Sequence, residues 1–133
     1  MKILLDTHTL LWFFEGNIEI SQLAKSSIED TKNQKLISIA SVWEMSIKQS
    51  QNKLDLEKLA ADYIADKLCF ADFSLLPIQL NHLVLISTLP FHHRDPFDRL
   101  LISQSITENI PILSKDKAFD SYSVKRIWNE IDP

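Results

Sequence analysis

Short apolar runs recur along this chain, separated by longer stretches in which apolar residues return every third or fourth position. The runs at residues 2–5, 35–39, 73–76 and 110–113, with a weaker one at 123–127, have the length of strands. Between them, Ile20, Leu23, Ala24 and Ile28 keep the spacing of one helix face. So do Leu56, Leu59, Ala60, Tyr63, Ile64 and Leu68, and again Phe97, Leu100, Leu101 and Ser105. Short strands alternating with helices predict βαβ units on a parallel sheet. The expected fold is α/β: one domain over residues 1–133, with a central, mostly parallel, twisted sheet of four to five short strands flanked by helices on both faces. Leu4-Leu5 and Ile112-Leu113 read as central strands buried on both sides.

Local chemistry supplies some boundaries. Glu15-Gly16-Asn17 ends the first helix, because glycine and asparagine tolerate a left-handed cap. Pro96 suits the first position of a helix, where a missing N–H costs nothing. Pro77 and Pro111 suit strand edges.

Composition narrows the class. At 133 residues, 45% hydrophobic and 24% charged, the chain is long and apolar enough to bury a core. No apolar run approaches the ~20 residues of a membrane span. The N-terminus lacks the long apolar stretch of a signal peptide, so no export is expected. The one cysteine, Cys69, has no partner for an internal disulfide, and a cytoplasmic setting is expected. A net charge of −4 argues against a broad basic face for coating nucleic acid. It leaves room for an enzyme acting on nucleic acid, because carboxylates that bind metal count as negative. Lys48, Arg94, Arg99, Lys115 and Lys117 cluster near the positions that matter most.

Those positions are acidic. Asp6 closes the first strand, Glu44 is expected to open the helix after residues 35–39, Asp98 lies in a first helical turn, and Asp116 follows Ile112-Leu113. In an open parallel sheet the carboxyl ends of the strands face one crevice, where ligands bind. Converging carboxylates there resist ionisation unless a cation compensates them. Oxygen-only ligands point to Mg²⁺ or Mn²⁺. His8, His82, His92 and His93 show no zinc-type spacing, and His92-His93 are expected in a polar loop.

A capping explanation exists for each acid. Ser41-Val42-Trp43-Glu44 fits a capping box. Asp95-Pro96-Phe97-Asp98 fits an N-cap followed by an acid favoured by the helix dipole. Asp6 and Asp116 precede helical turns. Capping does not explain why the acids gather at the tips of buried strands.

At this point the chain resembles the PIN domains, and among them the VapC-type toxins of toxin–antitoxin pairs. The resemblance rests on Leu4-Leu5-Asp6-Thr7-His8-Thr9-Leu10-Leu11-Trp12, on Ser41-Val42-Trp43-Glu44-Met45-Ser46-Ile47-Lys48, on the stretch from His93 to Ser105 and on that from Ile112 to Phe119. It implies a metal-dependent ribonuclease with Asp6, Glu44, Asp98 and Asp116 as catalytic, metal-holding acids, Asp6 and Asp98 foremost. Asp95 is an extra acid, a ligand or only a cap. Thr7 would orient the first aspartate, and Lys48 or Arg99 would steady a phosphate of the RNA substrate. An antitoxin covering the site and a homodimer are also implied. The five apolar residues from Leu10 to Phe14 exceed one core-facing stripe, leaving either a groove for a partner helix or burial within the domain.

Two alternatives come from other classes. A receiver-like phosphoryl-transfer domain would use the same acids with Lys115. A non-catalytic protein-binding module would use them only as caps.

Overall fold

The computed structural model describes residues 1–129. Strand β1 (Lys2–Leu5) leads into helix α1 (Thr7–Glu15), then α2 (Gln22–Glu29) and β2 (Gln34–Ser38). Helices α3 (Ile39–Ser50) and α4 (Ala60–Lys67) precede β3 (Phe73–Leu76). Helices α5 (Leu80–Ile86) and α6 (Pro96–Glu108) precede β4 (Ile112–Leu113), a 3₁₀ turn (Lys117–Ser121) and β5 (Arg126–Ile127). The sheet has the order β3-β2-β1-β4-β5, and every pairing is parallel.

Period-two alternation in the strands creates the two cores. Ile3 and Leu5 face one layer with Leu10, Ile28, Met45 and Ile64, while Leu4 faces the other with Leu100, Leu101 and Phe119. Helices therefore cover both faces, as expected for a parallel sheet. Leu4, Leu5, Ile112 and Leu113 are all fully buried, so β1 and β4 are central strands.

The chain progresses outward through β1, β2 and β3, then returns to the other side of β1 for β4 and β5. The order reverses between β1 and β4. Such a switch point leaves a crevice beyond the carboxyl ends of the two strands.

Several boundaries have the expected chemistry. Gly16 takes a left-handed φ of 66° after α1, and the next amide, that of Asn17, donates to Trp12 O at 2.9 Å. Pro96 occupies the start of α6, capped by Asp95. Other expectations change. Helix α4 begins only at Ala60, and Leu56 packs from the preceding loop. Leu10 is fully buried and Leu11, Trp12, Phe13 and Phe14 pack against the same core, so most of that apolar run is structural.

Two polar residues of α6 set the site's surroundings. Gln104 accepts from the Ser38 hydroxyl at 2.5 Å and donates to Pro77 O at 3.2 Å, tying α6 to the ends of β2 and β3. Arg99 is buried, and its guanidinium donates to Pro90 O (2.9 Å), Leu89 O (3.1 Å) and His93 O (3.3 Å). The Phe91 ring lies 4.0 Å from the guanidinium carbon. Arg99 thus organises the loop before α6, with both terminal guanidinium nitrogens turned to backbone carbonyls. Replacing Arg99 by Ala strands these carbonyls and should lower unfolding free energy by about 2–4 kcal/mol. Arg99→Lys should recover only part, because an ammonium cannot span the same fork. Urea denaturation of the three proteins measures both effects.

Candidate metal centre

Each acid arrives at the crevice by a separate local device. Asp6, directly after β1, is the N-cap of α1, and its Oδ1 accepts from the Thr9 amide at 2.7 Å. Asp116 caps the 3₁₀ turn after β4: Oδ1 takes the Ala118 amide at 2.9 Å. Asp95 caps α6 through Oδ1, which accepts from the amides of Phe97 and Asp98, each at 2.9 Å. That cap holds Asp98 in the first turn. Capping occupies one oxygen of each carboxylate and leaves the other for different work. Caps and ligands are compatible roles here.

Glu44 departs from expectation. Ser38, at the end of β2, caps α3 by accepting from the Ala40 amide at 3.0 Å. Glu44 consequently lies in the second turn, and the capping box with Ser41 does not form. Ser41 instead accepts from the Thr7 hydroxyl at 3.0 Å, which joins α3 to α1. The Thr7 hydroxyl is thereby committed to Ser41, and the Thr9 amide holds Asp6 Oδ1. Lys48, one turn along α3, pairs with Glu44 Oε2 at 2.8 Å. The other oxygen, Glu44 Oε1, is buried with no protein partner.

His93 lies in the loop before α6, as expected, and that loop places it between two of the acids. Its Nε2 is 3.1 Å from Asp98 Oδ2 and 3.0 Å from Asp116 Oδ2. The Asp95 amide points at Nδ1 from 3.2 Å. Nδ1 is then an acceptor, so the ring proton sits on Nε2 and is donated to the carboxylates. The His93 amide donates to the Tyr122 hydroxyl at 2.9 Å, and that hydroxyl donates to Pro90 O at 2.6 Å. A histidine two residues before the cap of an acid-bearing helix was the available signal. Its partner Asp116 is remote in sequence, so periodicity gave no hint of the bridge.

The acids interact electrostatically. Burial raises the Asp6 carboxyl above its ordinary value, against the lowering effect of its hydrogen bonds from Ser114 and Thr9. Asp98 is pushed up to about 7, first by burial and then by the negative charge of Asp95, with smaller contributions from Asp6 and Glu44; His93 opposes them. Asp6, Glu44 and Asp98 therefore share one weakly screened environment, and Asp116 joins it through His93 and through a cavity wall shared with Asp6. Among the described residues, Asp98 and Asp116 approach each other around His93, while Asp6 and Glu44 act on Asp98 through their charge.

The donor set fits a hard divalent cation. Carboxylate oxygens stand at the N-cap of α1, on α3, on α6 and before the 3₁₀ turn that follows β4, including Glu44 Oε1, which has no partner among the described residues. Asp98 and Asp116 place carboxylate oxygens within 4.8 Å of each other on either side of the His93 ring, whose Nε2 could join them as a ligand only by giving up its proton. A cation there would offset the burial and the neighbouring negative charge that raise Asp98.

A PIN domain family model matches residues 3–125. No curated protein matches the chain. Among solved structures it is similar to VapBC2 from Rickettsia felis, bound to a promoter DNA fragment (TM-score 0.72, 14% identity, 97% of this chain and 100% of that one). A toxin–antitoxin complex from Klebsiella pneumoniae gives a TM-score of 0.59 at 17% identity, over 88% of this chain and 89% of that one. The PIN domain endonuclease Utp24 gives 0.52 at 14%, over 96% and 86%. At these identities the likeness is one of fold. Together with the family match over nearly the whole sequence, the parallel sheet and its acid-lined crevice place this chain in the PIN-domain family, whose members are generally nucleases that use divalent metal.

Proposed function

We propose that this protein is the toxin of a toxin–antitoxin pair, a VapC-type endoribonuclease that hydrolyses RNA phosphodiester bonds with Mg²⁺ or Mn²⁺. The observation that carries this reading is the half-buried Asp98 at the switch point of the sheet, raised by burial and by the neighbouring charges of Asp95, Asp6 and Glu44 and joined to Asp116 through His93. Asp6 and Asp98 are the principal metal-holding residues, with Glu44 and Asp116 completing the set. A divalent ion held by these oxygens supplies Lewis-acid neutralisation of phosphate charge and a more acidic water. The protein's own residues do the positioning. Lys48 holds Glu44 Oε2 and leaves Oε1 for the crevice. His93 keeps Asp98 and Asp116 together and places an N–H donor between them. Asp95 is a cap whose charge tunes Asp98.

The structural likeness to toxin–antitoxin complexes supports an antitoxin partner. Exposed Leu80, Leu83, Val84 and Phe91 supply apolar surface of the kind that interfaces cover, in a homodimer or with the antitoxin. No helix among the described residues is long and apolar enough to cross a membrane. The exposed, unpaired Cys69 suits the reducing cytoplasm.

Asp6→Asn and Asp98→Asn should each reduce Mn²⁺-dependent RNA cleavage by more than about 100-fold, beyond the 10–100-fold that losing a ligand's supporting hydrogen bond costs. Without metal both variants should melt above the wild type, because repulsion is relieved and asparagine still caps. Both should lose most of the stabilisation that Mn²⁺ gives the wild type. Turnover near the wild-type rate would remove the substituted residue from the metal-holding set.

The pH response follows from Asp98, held at about 7 in the fold against an ordinary 3.8. Between about pH 4 and pH 7 the folded protein keeps a proton that the unfolded chain has released. That contribution to stability is complete below about pH 4 and is lost as pH rises through about 7. Metal-free wild type should therefore lose stability relative to Asp98→Asn between about pH 4 and pH 7. Calorimetry across that range checks it; a constant difference between the two would contradict the raised pKa.

A further inference from the structure

The acid-lined crevice opens into a cavity of about 390 Å³ lined by Asp6, His8, Trp12, Lys115, Asp116 and Lys117. This volume lies within the roughly 300–1,000 Å³ of small-ligand pockets. Asp6 and Asp116 belong to the metal-holding set, whereas the other walls differ in kind. The Trp12 indole is part-buried and braced by Trp128, with ring centroids 6.0 Å apart. Exposed His8 lies against it at 5.6 Å. Lys115 Nζ is 5.8 Å from the indole centroid and pairs with Glu19 at 2.7 Å. Lys117 is exposed at the start of the turn that Asp116 caps.

An immobilised aromatic wall, two lysines and two metal-holding carboxylates thus share one hollow. Its ligand should be a flat π-faced group carried a short distance from an anion. A nucleobase attached through its sugar to a phosphate meets that description, and base–aromatic stacking is worth roughly 1–3 kcal/mol per base whatever the base. We propose that the Trp12 pocket receives the base flanking the cleaved phosphate of single-stranded RNA, with Lys117 toward the backbone. The proposal rests on the nuclease reading above. Trp43 is a competing platform, exposed and edge-on to Phe97 at 5.0 Å. The Trp12 pocket is favoured because Asp6 and Asp116 form part of its own wall.

The test uses fluorescein-labelled octamers of U, A and C, with Ca²⁺ replacing Mn²⁺ to hold back cleavage, and reads anisotropy. Wild type should bind all of them with similar affinity. Trp12→Ala should weaken binding about 5–150-fold, the equivalent of one lost stack, and Trp12→Phe should keep most of it. Lys117→Ala should weaken binding and flatten its salt dependence. None of these variants should alter the rise in melting temperature given by Mn²⁺. As a readout on the unmodified protein, 5-iodouridine cross-links should fall in the tryptic peptide Ile3–Lys25, which carries His8 and Trp12.

Wild-type affinity in Trp12→Ala would overturn the proposal and leave the pocket to a protein partner. Cross-links in Leu36–Lys48, which carries Trp43, would also overturn it. So would a wild type that responds to Mn²⁺ yet binds no RNA. A wild type that does neither would bring down the nuclease reading as well.

Discussion

Carboxylates brought together at the carboxyl edge of a buried parallel sheet lose water and repel one another, and much of this structure is arranged around that constraint. Burial, then the charge of Asp95, with smaller contributions from Asp6 and Glu44, push the Asp98 carboxyl up to about 7. The fold moderates the repulsion without removing it. Helix amides take one oxygen from Asp6, Asp95 and Asp116, Lys48 takes one from Glu44, and His93 donates between Asp98 and Asp116. Asp116 uses both oxygens in these contacts, whereas Glu44 Oε1 is buried without a partner among the described residues. A chain selected only for stability would gain by replacing such a residue. Its presence is sensible where a cation completes the balance.

The same segment serves both stability and the site. In the stretch from His93 to Gln104, Asp98 and His93 face the crevice, while Arg99 and Gln104 turn inward to bind backbone carbonyls and the Ser38 hydroxyl. Arg99 secures the loop that carries His93, and Tyr122 secures it from the opposite end of the sequence. The polar residues of this motif therefore divide into those that do chemistry and those that hold them in register. Residue type alone does not reveal the division, because an arginine beside an acid serves equally well as a phosphate contact or a carbonyl clamp.

Most of the fold was legible in the chain. The strand runs, the glycine at the end of α1 and the proline at the start of α6 each express a local rule: pleat alternation, left-handed φ, a fixed φ with no donor. Where the expectation slipped, tertiary contacts had overridden the local rule. Ser41 has the spacing of a cap, yet Ser38, held at the end of β2 by Gln104, starts the helix first and places Glu44 a turn deeper. Leu56 has helical spacing but packs adequately from a loop.

The chain by itself determined which residues are acidic, which runs are apolar, and hence that carboxylates stand at the ends of buried strands. These are matters of composition and period, carried by neighbours a few positions apart. Only the tertiary structure decided which polar groups meet. The bridge from His93 to Asp116, the turning-in of Arg99 and the joining of Trp12 to the crevice depend on β4 returning beside β1, a pairing between remote segments. Side-chain roles at this site follow from that distance-spanning choice of neighbour, because burial and charge act through space and not along the chain.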